Sequence, residues 1–237
     1  MSGLRTALQF LTVVPVSGGA DLASAVRWGP LVGLFLGALL AAADLALAPW
    51  VGPAVRAVIL VALLAALTGA LHLDGLADSA DGLLVHRSPA DRLAIMRDPR
   101  TGGFGVVAVT LVVLAKVAAL TELEGALRTP ALLITPALAR WTIVALARLL
   151  PDARVGLGSV WRAGSGGGAF VLATALALLP AVILAGLAGV VLAGAAALTA
   201  AGVGLFSRAR IGGVTGDVLG ATVELVEAAC WIVASAL

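Results

Sequence analysis

The sequence predicts an all-α, polytopic integral membrane protein with about seven transmembrane helices. Of its 237 residues, 61% are hydrophobic and only 12% are charged, and the mean hydropathy is +1.12. A soluble globular protein has about a quarter charged residues. Several apolar runs reach the roughly 18 residues that a helix needs to cross a bilayer, and the alternation typical of membrane strands is absent. We expect a single transmembrane helical domain over residues 1–237.

The apolar runs place the predicted spans along the chain. These spans lie near residues 30–48, 53–71, 104–120, 130–150, 169–187, 189–206 and 217–237. The uncharged stretch 169–206 is too long for one span, so we expect a helical hairpin that turns near Gly186–Gly189. The N-terminal segment 4–14 is short, and it either lies in the membrane interface or re-enters the membrane.

The basic residues predict the orientation in the cytoplasmic (inner) membrane. With a cytoplasmic N-terminus, eleven of the fifteen Lys and Arg fall on the cytoplasmic side. Only Arg56, Lys116 and Arg128 fall on the opposite side, and Arg140 falls inside a span. This asymmetry follows the positive-inside rule. It also puts 72–103 and 207–217 on one side, where they could form one site.

Composition also limits the partners of the chain. The formal net charge is only +2, and the sequence has no basic stripe with aromatic residues between the basic ones, so we expect no nucleic acid as partner. The apolar composition makes a lipid bilayer the expected partner. The single Cys230 excludes an internal disulfide and the usual multi-cysteine metal sites.

The first chemical motif is LHLDGLADSADG at residues 71–82. Helical geometry puts Asp74, Asp78 and Asp81 within an arc of about 60° on one face. Like charges that lie so close together beside hydrocarbon need a counter-charge. Hard cations such as Mg²⁺ take carboxylate oxygens and share their remaining positions with substrate phosphates. We therefore predict a metal–phosphate site, the alternative being a solvated acidic helix end.

The second motif, IMRDPRTGGFG at residues 95–105, leads into the third span. Its glycines leave backbone amides open near a helix start, and Arg92, Arg97 and Arg100 suit phosphate oxygens. The alternative is an ordinary basic loop with a tight turn. His72, beside the Asp cluster, is expected to contact phosphate or metal, and a structural hydrogen bond is the equal alternative.

The third motif is IGGVTGDVLGATVELVE at residues 211–227. Asp217, Glu224 and Glu227 share a helix face within about 80°. Ionised carboxylates inside an apolar span need a partner or a metal. We expect Asp217 and Glu224 to complete the metal site, while an interhelical ion pair, for example with Arg140, is the alternative.

Together these motifs resemble the cobalamin synthase family, the adenosylcobinamide-GDP ribazoletransferases of cobamide nucleotide-loop assembly. The similarity runs from Phe10-Leu11-Thr12 and Pro15, through HLDGLADSADG and IMRDPRTGGFG, to GGVTGDVLGATVE. Each glycine- or aspartate-rich piece alone is unspecific, but the combination is specific.

The resemblance implies a Mg²⁺-dependent enzyme at the cytoplasmic membrane face. Its substrates would be adenosylcobinamide-GDP and α-ribazole or α-ribazole 5′-phosphate, and its products adenosylcobalamin or its 5′-phosphate, and GMP. Asp74, Asp78 and Asp81 would bind metal, with one of them as catalytic base, and the three arginines named above would hold the pyrophosphate. Homo-oligomers or complexes with other cobamide-assembly enzymes stay open.

Two other functions remain open at this stage. Asp78-Ser-Ala-Asp81-Gly82 resembles the first half of the CDP-alcohol phosphotransferase signature, but the second half, with two further Asp, is missing. A cation transporter would place its acids near the bilayer midplane and would show an internal repeat. No such repeat is visible in the sequence, and the acids cluster towards one face.

Overall fold

The computed structural model describes residues 2–17, 19 and 21–237. Within these residues the chain forms a succession of α-helices: α1 (Ser2–Leu11), α2 (Gly29–Leu47), α3 (Pro53–Leu67), α4 (Leu71–Leu84), α5 (Pro89–Ile95), α6 (Gly103–Glu122), α7 (Arg128–Leu149), α8 (Leu157–Gly164), α9 (Gly167–Ile211) and α10 (Gly216–Ser235). Single 3-10 turns, Val26–Trp28 and Gly125–Leu127, precede α2 and α7. The predicted all-α class is confirmed.

In the described part of the chain, five helical stretches are long and apolar enough to cross a membrane: α2 and α7 with the turns before them, α6, α9 and α10. Helices α3 and α4 pass the same test only as a pair, and they meet at 90°. The chain is therefore a polytopic helical membrane protein, and seven spans stay a prediction.

The 45-residue helix α9 contains the predicted hairpin. Gly186 has φ 55° and ψ −127°, which breaks the helix, and a Cβ on Gly189 would overlap the carbonyl group of Ala181. Residues eight apart in a continuous helix lie about 12 Å apart along its axis. The two arms therefore fold back on each other, as predicted near Gly186–Gly189.

Close helix packing rests on small residues. A Cβ on Gly33 or Gly37 of α2 would overlap backbone atoms of α7. This spacing of four residues is typical of small-residue contacts in membrane helices. It seats α2 on α7, whose side chains are mostly buried, so α7 lies at the centre of the bundle.

Buried charges join further helices. Arg128 donates two hydrogen bonds of 2.7 Å to the Asp44 carboxylate, and Arg56 lies 3.2 Å from the same group. Lys116, which the sequence analysis placed on the opposite membrane side, is instead buried within α6. Its ammonium group is neutralised there by carboxylates of α10, so it does not report on orientation.

Candidate functional site

Helices α4 and α10 bring the two acidic motifs together. A Cβ on Gly75 would lie 2.8 Å from the backbone oxygen of Asp217, so the glycine permits this approach. Asp74 is exposed, while Asp78 and Asp217 are partly buried. Asp78 interacts electrostatically with Asp74, Asp217 and Asp81. The expectation that segments 72–103 and 207–217 can form one site agrees with this contact.

Arg154 faces this carboxylate cluster from the loop before α8. Its guanidinium donates to Asp217 Oδ2 at 2.8 Å and to the Leu93 carbonyl oxygen at 3.0 Å. The loop is held beside α10 because Ala153 N–H donates to the Val214 carbonyl oxygen at 2.9 Å. The sequence analysis missed Arg154 as a site residue, although it placed the loop on the same membrane side.

A cavity of about 210 Å³ opens beside Asp74 and Asp217. Phe10 and Trp161 form an aromatic wall, with ring centroids 5.4 Å apart. The remaining lining is contributed by Leu11, Leu71, His72, Gly75, Ile143, Leu157, Gly216, Leu219 and Gly220. The cavity thus combines acidic groups with a face that suits a planar ring, and its aromatic wall was not predicted as part of the site.

Asp81 has a different environment from the other two acids of α4. Its carboxylate accepts hydrogen bonds from Gly102 N–H at 2.6 Å and Gly105 N–H at 2.9 Å. Gly102 directly precedes α6 and Gly105 lies in its first turn, where N–H groups lack helical partners and the helix dipole favours negative charge. Asp81 therefore caps α6, and its predicted role as a metal ligand and catalytic group stays a prediction that these two hydrogen bonds do not favour.

The three arginines predicted to bind phosphate have different environments in the structure. Arg92 is buried, and its guanidinium donates to the carbonyl oxygens of Gly82 and Leu83 at the end of α4. Its contacts do not support the predicted substrate role, because its donors serve the helix end. Arg97 and Arg100 are exposed and remain accessible to a ligand.

Asp98 accepts a bidentate pair of hydrogen bonds from the Arg100 guanidinium, at 2.9 and 2.7 Å. These hydrogen bonds lower the pKa of Asp98 to about 2. The loop before α6 thus carries a pre-formed charge pair beside Asp81.

Glu224 lies in a separate, buried charge network. Lys116 Nζ is 2.6 Å from Glu224 and 2.5 Å from Glu227, and Arg140 pairs with Glu227. Glu224 is also about 10 Å further along α10 than Asp217. The ion-pair alternative therefore describes Glu224, with Lys116 as its partner, and its predicted metal role is not supported by this geometry.

The remaining acids have the ligand type and the charge that a divalent metal requires. Among the described residues, no three His, Cys, Asp or Glu side chains converge tightly enough to hold a metal in this conformation. However, Asp74, Asp78 and Asp217 are neighbours with carboxylate oxygens and an excess of negative charge. Such oxygens are the ligands of Mg²⁺.

The chain is similar to known proteins over nearly its whole length. The sequence model of the cobalamin-5-phosphate synthase family matches residues 3–235. The chain is 39% identical to the adenosylcobinamide-GDP ribazoletransferase of Thiobacillus denitrificans, with 99% of this chain and 95% of the relative covered. It is 41% identical to the enzyme of the same name from Stutzerimonas stutzeri, with 97% and 96% covered. No solved structure matches the chain.

Proposed function

The chain belongs to the cobalamin-5-phosphate synthase family, and we propose from this membership that it is an adenosylcobinamide-GDP ribazoletransferase. It would join adenosylcobinamide-GDP to α-ribazole, or to α-ribazole 5′-phosphate, and release GMP. The observation that carries this proposal is the full-length similarity to several enzymes of that name. The products would be adenosylcobalamin or its 5′-phosphate.

In this reaction a ribose hydroxyl of α-ribazole attacks the phosphorus that carries cobinamide. A new P–O bond forms there, the bond to the bridging pyrophosphate oxygen breaks, and GMP leaves with that oxygen. Transfers of this kind depend on positioning and on neutralising phosphate charge. The proton of the attacking hydroxyl needs an acceptor, and a carboxylate within hydrogen-bond reach is a suitable one.

The acids at the junction of α4 and α10 suit these tasks. Asp74, Asp78 and Asp217 would hold Mg²⁺, which when bound neutralises the phosphate oxygens. One of the two carboxylates on α4, Asp74 or Asp78, would accept the proton, because neither forms an ion pair among the described residues. Arg154 holds Asp217 in place. The aromatic wall of Phe10 and Trp161 would contact the planar base of α-ribazole.

We place the site at the cytoplasmic face of the inner membrane. The support is the excess of arginine in the segments next to the site, compared with two basic residues, Arg56 and Arg128, at the other end of the bundle. Exposed Arg97 and Arg100 would then meet the GDP-bearing substrate from the cytoplasm.

The experiment that tests this function measures GMP release from adenosylcobinamide-GDP by the full chain in lipid vesicles. We expect release only when α-ribazole or its 5′-phosphate is present, loss of release with a chelator, and recovery with Mg²⁺. GMP release without any ribazole would indicate a hydrolase. Failure with both acceptors, together with turnover of a CDP-alcohol, would favour the alternative phosphotransferase.

A further inference from the structure

His72 lies at the cavity but has no part in the chemistry proposed above. Its ring is only 3% exposed, and it lines the cavity beside Asp74 and Asp217. Nδ1 lies 3.4 Å from Nη2 of Arg140. Nε2 has no hydrogen-bond partner among the described residues. It is also not fully enclosed by protein, unlike several other unpartnered polar atoms such as Arg140 Nε. Nε2 therefore keeps some exposed surface, in a residue that lines the cavity.

Arg140 is itself held from several sides. Nη1 donates to a carboxylate oxygen of Glu227 and to the Pro136 carbonyl oxygen. The second oxygen of Glu227 accepts from Lys116 at 2.5 Å. Helices α6, α7 and α10 thus fix the guanidinium in a buried network, where hydrogen bonds are strong and costly to rearrange. The position of Arg140 relative to His72 follows from the packing of these three helices.

The chemistry of arginine decides which nitrogen of His72 carries the proton. A guanidinium has only N–H donors and keeps its charge in proteins. Nδ1 can interact favourably with it only as an acceptor, through its lone pair. A neutral imidazole has one N–H, which must then be on Nε2.

We propose that Arg140 and Glu227 fix His72 as the Nε2–H tautomer, so that Nε2 donates a hydrogen bond from the cavity floor to an acceptor oxygen of the bound substrate. The identity of that oxygen, a phosphate oxygen of adenosylcobinamide-GDP, rests on the proposed function. His72 is then a binding residue and not the base, since the Nδ1 lone pair is engaged and Nε2 carries the proton. Arg140 and Glu227 are positioning residues.

Nitrogen NMR of ¹⁵N-histidine tests the tautomer without turnover. The chain has two histidines, and His86 is exposed, so a His86→Gln variant in nanodiscs leaves one reporter. We expect a protonated Nε2 and an unprotonated Nδ1. Saturating adenosylcobinamide-GDP, without α-ribazole, should shift the Nε2 signal and leave Nδ1 unprotonated. A protonated Nδ1, or an Nε2 signal unchanged at saturation, would overturn the proposal.

The positioning role needs its own variant. Arg140→Met combined with Glu227→Gln removes one charge of each sign and leaves Lys116 paired with Glu224. Without the guanidinium, both tautomers of His72 should appear in the same spectrum. A spectrum that still shows only the Nε2–H tautomer would mean that Arg140 does not determine the proton position.

Kinetics test the hydrogen bond itself. His72→Gln keeps an N–H donor near the Nε2 position, whereas His72→Phe keeps a ring and removes the donor. We expect kcat/KM to fall by about 10- to 100-fold in His72→Phe, and by clearly less in His72→Gln. Equal losses would overturn the donor role. If the unmodified chain releases no GMP, the proposed function fails, while the tautomer spectrum still decides the arrangement of His72 and Arg140.

Discussion

Whether an acidic side chain of this protein can bind a ligand depends on which donor already occupies it. Asp81 is occupied by two backbone amides, and Glu224 by Lys116. Asp74 and Asp78 have neither kind of partner among the described residues. At the residue scale, these two carboxylates are therefore the best placed for the proposed metal and proton transfer.

The charge network around Glu224 gives a residue-scale prediction. Glu224→Gln should lower the free energy of unfolding by about 3 kcal/mol, because it leaves a buried cation in excess, and it should leave the Mg²⁺ requirement unchanged. The double variant with Lys116→Met removes both charges and should recover most of the stability. Denaturation in detergent and metal titration of GMP release measure the two effects. A raised Mg²⁺ requirement in Glu224→Gln would return Glu224 to the metal site.

Sequence alone identifies the charged residues of the site but not their partners. Asp74, Asp78 and Asp217 stand out because charge is rare in the chain. The partner of Glu224 is 108 residues away, and the direction of Arg92 depends on how α5 folds against the end of α4. Both are consequences of tertiary packing, which residue spacing does not encode.

At the scale of helices, Gly105 lets α6 meet the Asp81 carboxylate. A Cβ on Gly105 would lie 2.5 Å from Asp81 Oδ2 and 3.0 Å from the Ala77 carbonyl oxygen, whereas a Cβ on Gly103 would meet nothing within 4 Å. The seating of α6 on α4 therefore depends on Gly105 and not on Gly103.

This difference gives a matched pair of variants. Gly105→Ala should force α6 away from Asp81. We expect the free energy of unfolding to fall by about 1–3 kcal/mol, the typical cost of overpacking, and GMP release to fall as well. Gly103→Ala should behave like the unmodified chain. Thermal denaturation and GMP release of both variants provide the check. Equal behaviour of the two variants would show that the Asp81–α6 contact has no importance.

The helical hairpin of α9 could be predicted because its apolar run exceeds one bilayer thickness, but the break between α3 and α4 was not. The predicted span 53–71 ends early, since α3 stops at Leu67 and the chain turns by 90°. Gly69 and Ala70 both have positive φ at this turn. Gly69 is a local signal for such a break, but the long apolar run before it favoured the prediction of one continuous span.

At the scale of the whole molecule, the account requires a defined topology. In a Cys230→Ser background, a single cysteine at exposed position 90 should resist a membrane-impermeant reagent applied to intact cells. A cysteine at position 124 should react with it. Position 90 lies in α5, the helix whose Leu93 carbonyl oxygen accepts from Arg154, and position 124 lies between α6 and α7. Labelling of position 90 from outside would place the site on the wrong side of the membrane for the proposed function.

The central claim is that the acids of α4 and α10 carry out the transfer, and one comparison of two variants tests it most directly. Asp78→Asn removes one charge at nearly constant shape. Asp91→Asn does the same at an exposed acid whose contacts are to Ser88.

The measurement is GMP release from adenosylcobinamide-GDP with α-ribazole, on equal amounts of inserted protein. We predict that Asp78→Asn loses about 100-fold or more of the rate, as expected for loss of a metal ligand or base. Asp91→Asn should stay within about twofold, because exposed substitutions away from such features have small effects. Equal rates in the two variants would contradict the assignment of the site.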